Sequence, residues 1–463
     1  MDNKYAPYFA TFIVLWGIFF TAYWFGREKY FNWIWETRNK NFNRNQIRPE
    51  FHLNLDTARK SNKTGLVIGI HRGSKIKTLL WYIPVILLDA FVLFIFASRK
   101  TLFTISPNAL MVRLMVMMTV FVAVLLIIDF IHRKIASYIV RMENHRTYIS
   151  YNRSLTKHQY IMCFSLPMIV LACYGFHKAI FEFQFWRGYK MDNKFLLDET
   201  CVLTSCINEL AIAFTIVLLL RFVILRKLSL YSSTTDYNQR AIVQNVPCWE
   251  REFVLPRLKE SILANKMMML VIQLTFIIAF GFSCTPTIIF VLFFNIYNMR
   301  RDAELFTLHY RRPLFLKNKS FSIWSEILKL MVYLAIFVNV VSLVCSTDTI
   351  EAYLREQRKP TGNTLDQYLN LFFNNFTLIK GAYDLCYARA YIHISEDIDI
   401  KREELTVDEL KTYQYMYIFI FEIIMASLFL LMQYIFSIDV DEKEIPKKRE
   451  QENYEESRSN FAT

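Results

Sequence analysis

The chain has no metal-type spacing of Cys and His, no Gly-rich phosphate loop, no His-Glu zinc motif and no Ser-His-Asp arrangement that can be located. Without a recognisable nucleophile or metal centre it reads as a non-enzyme. It has no internal repeats and no long Gly/Ser-rich or Pro-rich linker, with only 10 Gly and 11 Pro in 463 residues, so nothing divides it into several folding units. A cleavable leader is not evident, because the apolar run from Tyr8 to Phe25 lacks a small-residue cleavage site. A compact aromatic-basic module for nucleic acid is also missing: the formal net charge is +13, but Lys and Arg are spread over segments that flank apolar runs.

What is present is apolar. Hydrophobic residues make up 54% and aromatic residues 16% of the chain, more than one soluble core of this length needs. The runs are Tyr8 to Phe25, Leu79 to Ala97, Leu114 to Ile131, Tyr160 to Phe181, Leu203 to Leu225, Met267 to Phe282, Thr287 to Tyr297, Ile323 to Cys345 and Tyr413 to Phe436. Most approach the roughly 20 residues that a helix needs to cross a hydrocarbon core of about 30 Å. These runs predict an all-α, polytopic helical membrane protein of about nine transmembrane helices. Domain bounds follow: a membrane domain over 1–438, and a short charged tail over 439–463 predicted to be disordered.

Sidedness follows from Lys and Arg, which favour cytoplasmic loops. The segment from Gly26 to Thr78 is rich in both and is predicted to be cytosolic, which puts the start of the chain outside. Alternation then makes 226–266 and the RRPLFLKNK stretch from Arg311 cytosolic, and both are basic. Contact with anionic headgroups accounts for these charges, at about 1 kcal/mol per Lys or Arg. The segment 346–411 falls outside, where the Asn375 sequon can be glycosylated; the sequons at Asn62, Asn152 and Asn318 are predicted to be silent. Cys201, Cys206, Cys345 and Cys386 lie on or beside that outer face, so one or two disulfides are possible, with the pairing open.

The most informative stretch runs from Lys266 to Pro313: two apolar runs hinged at Pro286, the second ending in NIYNMRRDAELFTLHYRRP. Asn298 and Asp302 stand four apart and Lys266 and Met269 three apart, so each pair shares one face of its helix near the same membrane border. That ending resembles the signature of the anoctamin family of channels and lipid scramblases. YFATFIVLWGIFFTAYWFGRE from Tyr8, RPEF from Arg48, ENHRT from Glu143, SCINELAIAF from Ser205 and YIFSIDVDEKEIP from Tyr434 follow in the family's order. The resemblance implies ten spans after a large cytosolic domain, whereas this chain opens at what looks like the second span. It implies either a short divergent member without the amino-terminal domain and first helix, or an incomplete gene model.

The resemblance further implies calcium between three helices whose facing positions here are Arg226 and Leu230, Lys266 and Met269, and Asn298 and Asp302. A hard divalent cation needs several oxygen ligands, and only Asp302 is a carboxylate. No cofactor or resident metal is therefore expected. Two readings of Arg226 and Lys266 stay open: they stand in for the metal with Asp302 as partner, or they snorkel from helix ends to the headgroups. Arg221 matches a basic position near the family's conduction path and Glu209 an acidic one; the alternative for Arg221 is a structural pair with Glu209 or Asp129. The implied function is a passive path for chloride or other anions, phospholipids or both, in a homodimer with one groove per subunit, in the plasma membrane or endoplasmic reticulum. Phospholipid scrambling alone, or a tether that kept the fold and lost transport, are the alternatives.

Overall fold

In the computed structural model the described residues are 5–34, 80–97, 110–176, 206–238, 260–311, 321–347 and 411–436, with two short hairpins and a few isolated positions. They form α1 (Ala6–Ile34), α2 (Tyr82–Ala97), α3 (Leu110–Met142), α4 (Tyr148–Gly175), α5 (Cys206–Asn238), α6 (Glu260–Phe280), α7 (Thr285–Glu304), α8 (Phe321–Ser346) and α9 (Lys411–Phe436). Within the described residues, each predicted apolar run overlaps one of these helices. Seven are long and apolar enough to cross a membrane, α2 is a shorter apolar helix, and α7 ends in charged residues. The chain is an integral, multi-pass membrane protein of all-α class. Among the described residues, the strands are confined to the antiparallel pairs β1 (Arg59–Lys60) with β2 (Val67–Gly69) and β3 (Asn374–Thr377) with β4 (Leu385–Ala388).

Helix is imposed by the solvent: lipid offers no hydrogen bonds, so each backbone group must be satisfied within its own segment. The helices outrun the apolar runs that announce them. α3 continues to Met142, α4 begins at Tyr148 and α7 reaches Glu304. Hydropathy marks only the lipid-embedded part, whereas polar helix formers carry the same hydrogen-bond ladder onward into the headgroup layer. The hinge at Pro286 is corrected in the same way. A 3₁₀ turn at Gly281–Ser283 makes the bend, and Pro286 lies in the first turn of α7, where its missing N–H has no intrahelical acceptor to lose.

α6 packs most extensively on α8, α3 on α5 and α4, and α1 on α8. Phe121, Phe214, Phe276 and Phe280 are fully buried in one continuous apolar cluster. Phe290, Phe293, Leu87 and Phe419 face outward, as lipid-facing positions do. Contacts between helix ends show the alternating direction of the bundle. Arg153 on the first turns of α4 pairs with Glu326 near the start of α8 at 2.6 Å, and Arg133 on the late part of α3 donates to Asn265 near the start of α6 at 3.1 Å.

That end is closed by the ENHRT segment. Asn144 has φ 50°, a left-handed conformation that Asn tolerates, and this turns the chain from α3 into α4. Thr147 then caps α4 by accepting from the Ser150 N–H at 3.3 Å. Arg48 docks here: its N–H donates to the Arg146 carbonyl at 3.0 Å, and its guanidinium lies 3.9 Å over the Tyr151 ring.

Candidate functional site

The late part of α5, the first turns of α6 and the last turn of α7 meet at the basic end of the bundle. Asp302 Oδ1 contacts Arg226 Nη2, and Lys266 Nζ lies 2.5 Å from the same oxygen. The side chains are 7% exposed for Arg226, 17% for Lys266 and 24% for Asp302, so this three-helix junction is only partly open to water. After Glu304 the helix widens into a π-turn, Leu305–His309, a feature often found at functional sites. The turn carries Phe306, whose ring centroid lies 4.5 Å from Lys266 Nζ, so the ammonium is held by a carboxylate and an aromatic face together.

Asn298, one helical turn before Asp302, is half-buried, and its side-chain oxygen is buried without a hydrogen-bond partner. Met269 is half-buried and packs against the apolar core. Leu230 lies on α5, but its side chain is outside the described residues. Of the six positions singled out in the sequence, the structure thus joins Arg226, Lys266 and Asp302 directly and puts Asn298 one turn away.

Arg221 is elsewhere. It is 1% exposed and grips Asp129 of α3 as a fork, with Nη2 donating at 3.0 and 2.8 Å and Nε at 3.2 Å. Nη2 also donates to the Cys163 carbonyl of α4 at 2.9 Å, so one side chain ties α5, α3 and α4. Glu209 sits in the first turn of α5, about 18 Å along the helix axis from Arg221 at 1.5 Å per residue. A carboxylate there is favoured by the helix dipole.

Comparison with known proteins decides the family: residues 1–456 match the family described as "Anoctamin: Calcium-activated chloride channel". The chain belongs to the anoctamin family. Human Anoctamin-5 is 24% identical over 448 residues, covering 86% of this chain and 48% of that protein. Human Anoctamin-3 is 22% identical over 441 residues, covering 84% and 43%, and human Anoctamin-7 is 23% identical over 394 residues, covering 77% and 41%. The chain therefore spans less than half the length of these anoctamins.

Two further clusters of this anoctamin gather around Glu143 and Asp89. Glu143 accepts from His145 at 2.6 Å, Ser154 at 2.5 Å and His158 at 3.1 Å, while the Tyr82 hydroxyl donates to the other nitrogen of His158. Burial pushes the Glu143 carboxyl up, but the hydrogen bonds from Ser154, His145 and His158 outweigh it and hold the group below its ordinary value. The second cluster is Asp89 and His132, inside the bundle. His158 and Ser154 come from α4, Tyr82 and Asp89 from α2 and His132 from α3, so apart from the local Glu143–His145 contact only the separate residues were visible beforehand. Of the cysteines set aside for disulfides, Cys201 and the side chains of Cys206 and Cys386 are outside the described residues; Cys345, near the end of α8, is half-buried. Asn375 lies on β3.

Proposed function

We propose that this anoctamin forms a passive membrane path for anions, phospholipid headgroups or both, and that its α5–α6–α7 junction is held by built-in positive charge rather than by calcium. The observation that carries the reading is the pair of cations on one oxygen of Asp302. Calcium needs six to eight oxygen ligands with negative charge among them. Here the donor set is one carboxylate already engaged by two cations, plus the Asn298 amide oxygen, and these residues do not fit the ion. Arg226 and Lys266 supply two positive charges at positions where the sequence resemblance implies calcium ligands, and they link three helices.

The test is reconstitution into liposomes, with chloride flux and labelled-lipid exchange measured with and without calcium. Activity independent of calcium is expected. A strong calcium response overturns the account of the junction. Lys266→Glu combined with Arg226→Asn restores carboxylate and amide ligands beside Asp302 and is expected to create calcium dependence. No change in either activity removes the cations from any role in gating.

One observation favours a second reading, a non-conducting scaffold. Along the α3–α5 seam Phe121, Leu125 and Ile128 face a layer that also holds Phe214, Leu218 and Phe222, all buried in one cluster, and the seam's ion pair is closed. Absence of both chloride and lipid flux under all conditions selects this reading.

A further inference from the structure

His132 lies in the later half of the Met115–Met142 span of α3, is completely buried, and makes no hydrogen bond through either ring nitrogen. The carboxylate beside it comes from α2: Asp89 Oδ1 is 3.4 Å from His132 Nε2 and also lacks a hydrogen bond, while Oδ2 accepts from the Ser165 hydroxyl of α4 at 3.3 Å. Asp89 is 8% exposed and His132 0%. Two groups able to share a proton thus face one another in the interior of a membrane bundle.

The surrounding charges are already engaged. On α3 itself, Asp129 is taken by Arg221 of α5, and Arg133 donates to Asn265 of α6. From α4 come the Cys163 carbonyl, also held by Arg221, and the Ser165 hydroxyl. This stretch of α3 therefore carries Asp129, His132 and Arg133, each bound to a different helix: Asp129 meets a guanidinium, Arg133 a neutral amide and His132 the Asp89 carboxylate. An ionised carboxylate left alone inside the bundle is strongly disfavoured. A proton held between the two groups removes that penalty, either as a carboxylate facing an imidazolium or as a carboxyl facing a neutral imidazole.

We infer that Asp89 and His132 form an intramembrane binding site for one proton, whose occupancy sets how firmly α2 is held against α3 and α4. With the proton bound the pair is neutral overall and joins the helices. With the proton lost, a bare carboxylate faces a neutral imidazole and α2 loosens. The step is a simple gain or loss of one proton. If the transport reading above holds, transport then depends on pH through this pair.

The deciding experiment uses the full chain in lipid vesicles with ¹⁵N-labelled histidine, the His132 resonance being assigned by its disappearance in His132→Gln. Across about pH 5 to 9, where histidine is the side chain that ordinarily changes charge, the imidazole is expected to switch protonation state. Asp89→Asn, which keeps the shape and the Ser165 contact, is expected to weaken proton binding at least tenfold. A single protonation state throughout, or an unchanged midpoint in Asp89→Asn, overturns the site. Chloride and lipid exchange measured in the same vesicles are expected to follow the wild-type titration, to shift with the midpoint in Asp89→Asn and to become flat in His132→Gln. Flux that ignores pH in the wild type overturns the link to α2. Vesicles silent at every pH overturn the transport reading instead, and the resonance still decides the proton site.

Discussion

The α3–α5 seam and the α5–α6–α7 junction both rest on an Arg from α5 gripping an Asp, yet they are built to different rules. In the seam the charges balance one to one, the fork is bidentate, and Arg221 is 1% exposed. At the junction two cations share one oxygen, and Asp302 remains a quarter exposed. A balanced, dry pair has little to gain from any other arrangement, whereas an unbalanced one near water is sensitive to whatever charge arrives. Arg221 therefore reads as a fastening between helices, and the junction as the part that responds.

The strongest way to break the comparison is to unbalance the seam. Asp129→Asn leaves Arg221 buried with an uncompensated charge, and breaking a buried pair in this way costs about 3 to 5 kcal/mol. Loss of folded, monodisperse protein or a large fall in thermal midpoint is expected. Asp129→Leu with Arg221→Met removes both charges, and recovery of most of the lost stability is expected because a well-packed apolar pair often equals a buried ion pair. Failure of the double variant to recover would show that the charge itself, and not merely its balance, is required.

A smaller effect is expected at the junction. Asp302→Asn leaves Arg226 and Lys266 facing each other, but solvent reaches this end, so screening limits the loss to about 2 kcal/mol. The same substitution is expected to alter transport, because α7 loses its link to α5 and α6. Thermal unfolding and flux in one set of vesicles separate the two effects. If stability falls further here than for Asp129→Asn, the distinction drawn between the regions is reversed.

Most of the architecture was readable in advance because lipid demands long apolar helices: each of the nine runs overlaps a described helix, and seven of those helices are long and apolar enough to cross a membrane. Their ends were not, since hydropathy says nothing once α3, α4 and α7 leave the hydrocarbon. The junction was partly legible: helical spacing put Asn298 with Asp302, and the family resemblance aligned them with Arg226 and Lys266. The support from Phe306 depends on a π-turn, which leaves no periodic trace. Asp129 was one of two partners considered for Arg221. His132 was overlooked because it falls just past the apolar run that ends at Ile131, beside Arg133 and Lys134, where it reads as part of a basic helix end.

Glu143 offers the mildest test, lying beyond the spans where water reaches it. Its folded carboxyl is held below the ordinary value of 4.5, so it contributes stability above that value and loses it as the pH falls through the lowered one. The stabilisation is complete at neutral pH and absent in strong acid. Glu143→Gln keeps the shape but weakens the acceptor for His145, Ser154 and His158. A loss of about 1 kcal/mol is expected at pH 7, shrinking as the wild type is acidified below pH 4.5. Thermal midpoints of the two proteins should converge on the acid side. A gap that persists there assigns the stabilisation to packing around the side chain, and the carboxylate charge would then hold neither the ENHRT turn nor the ends of α2, α3 and α4.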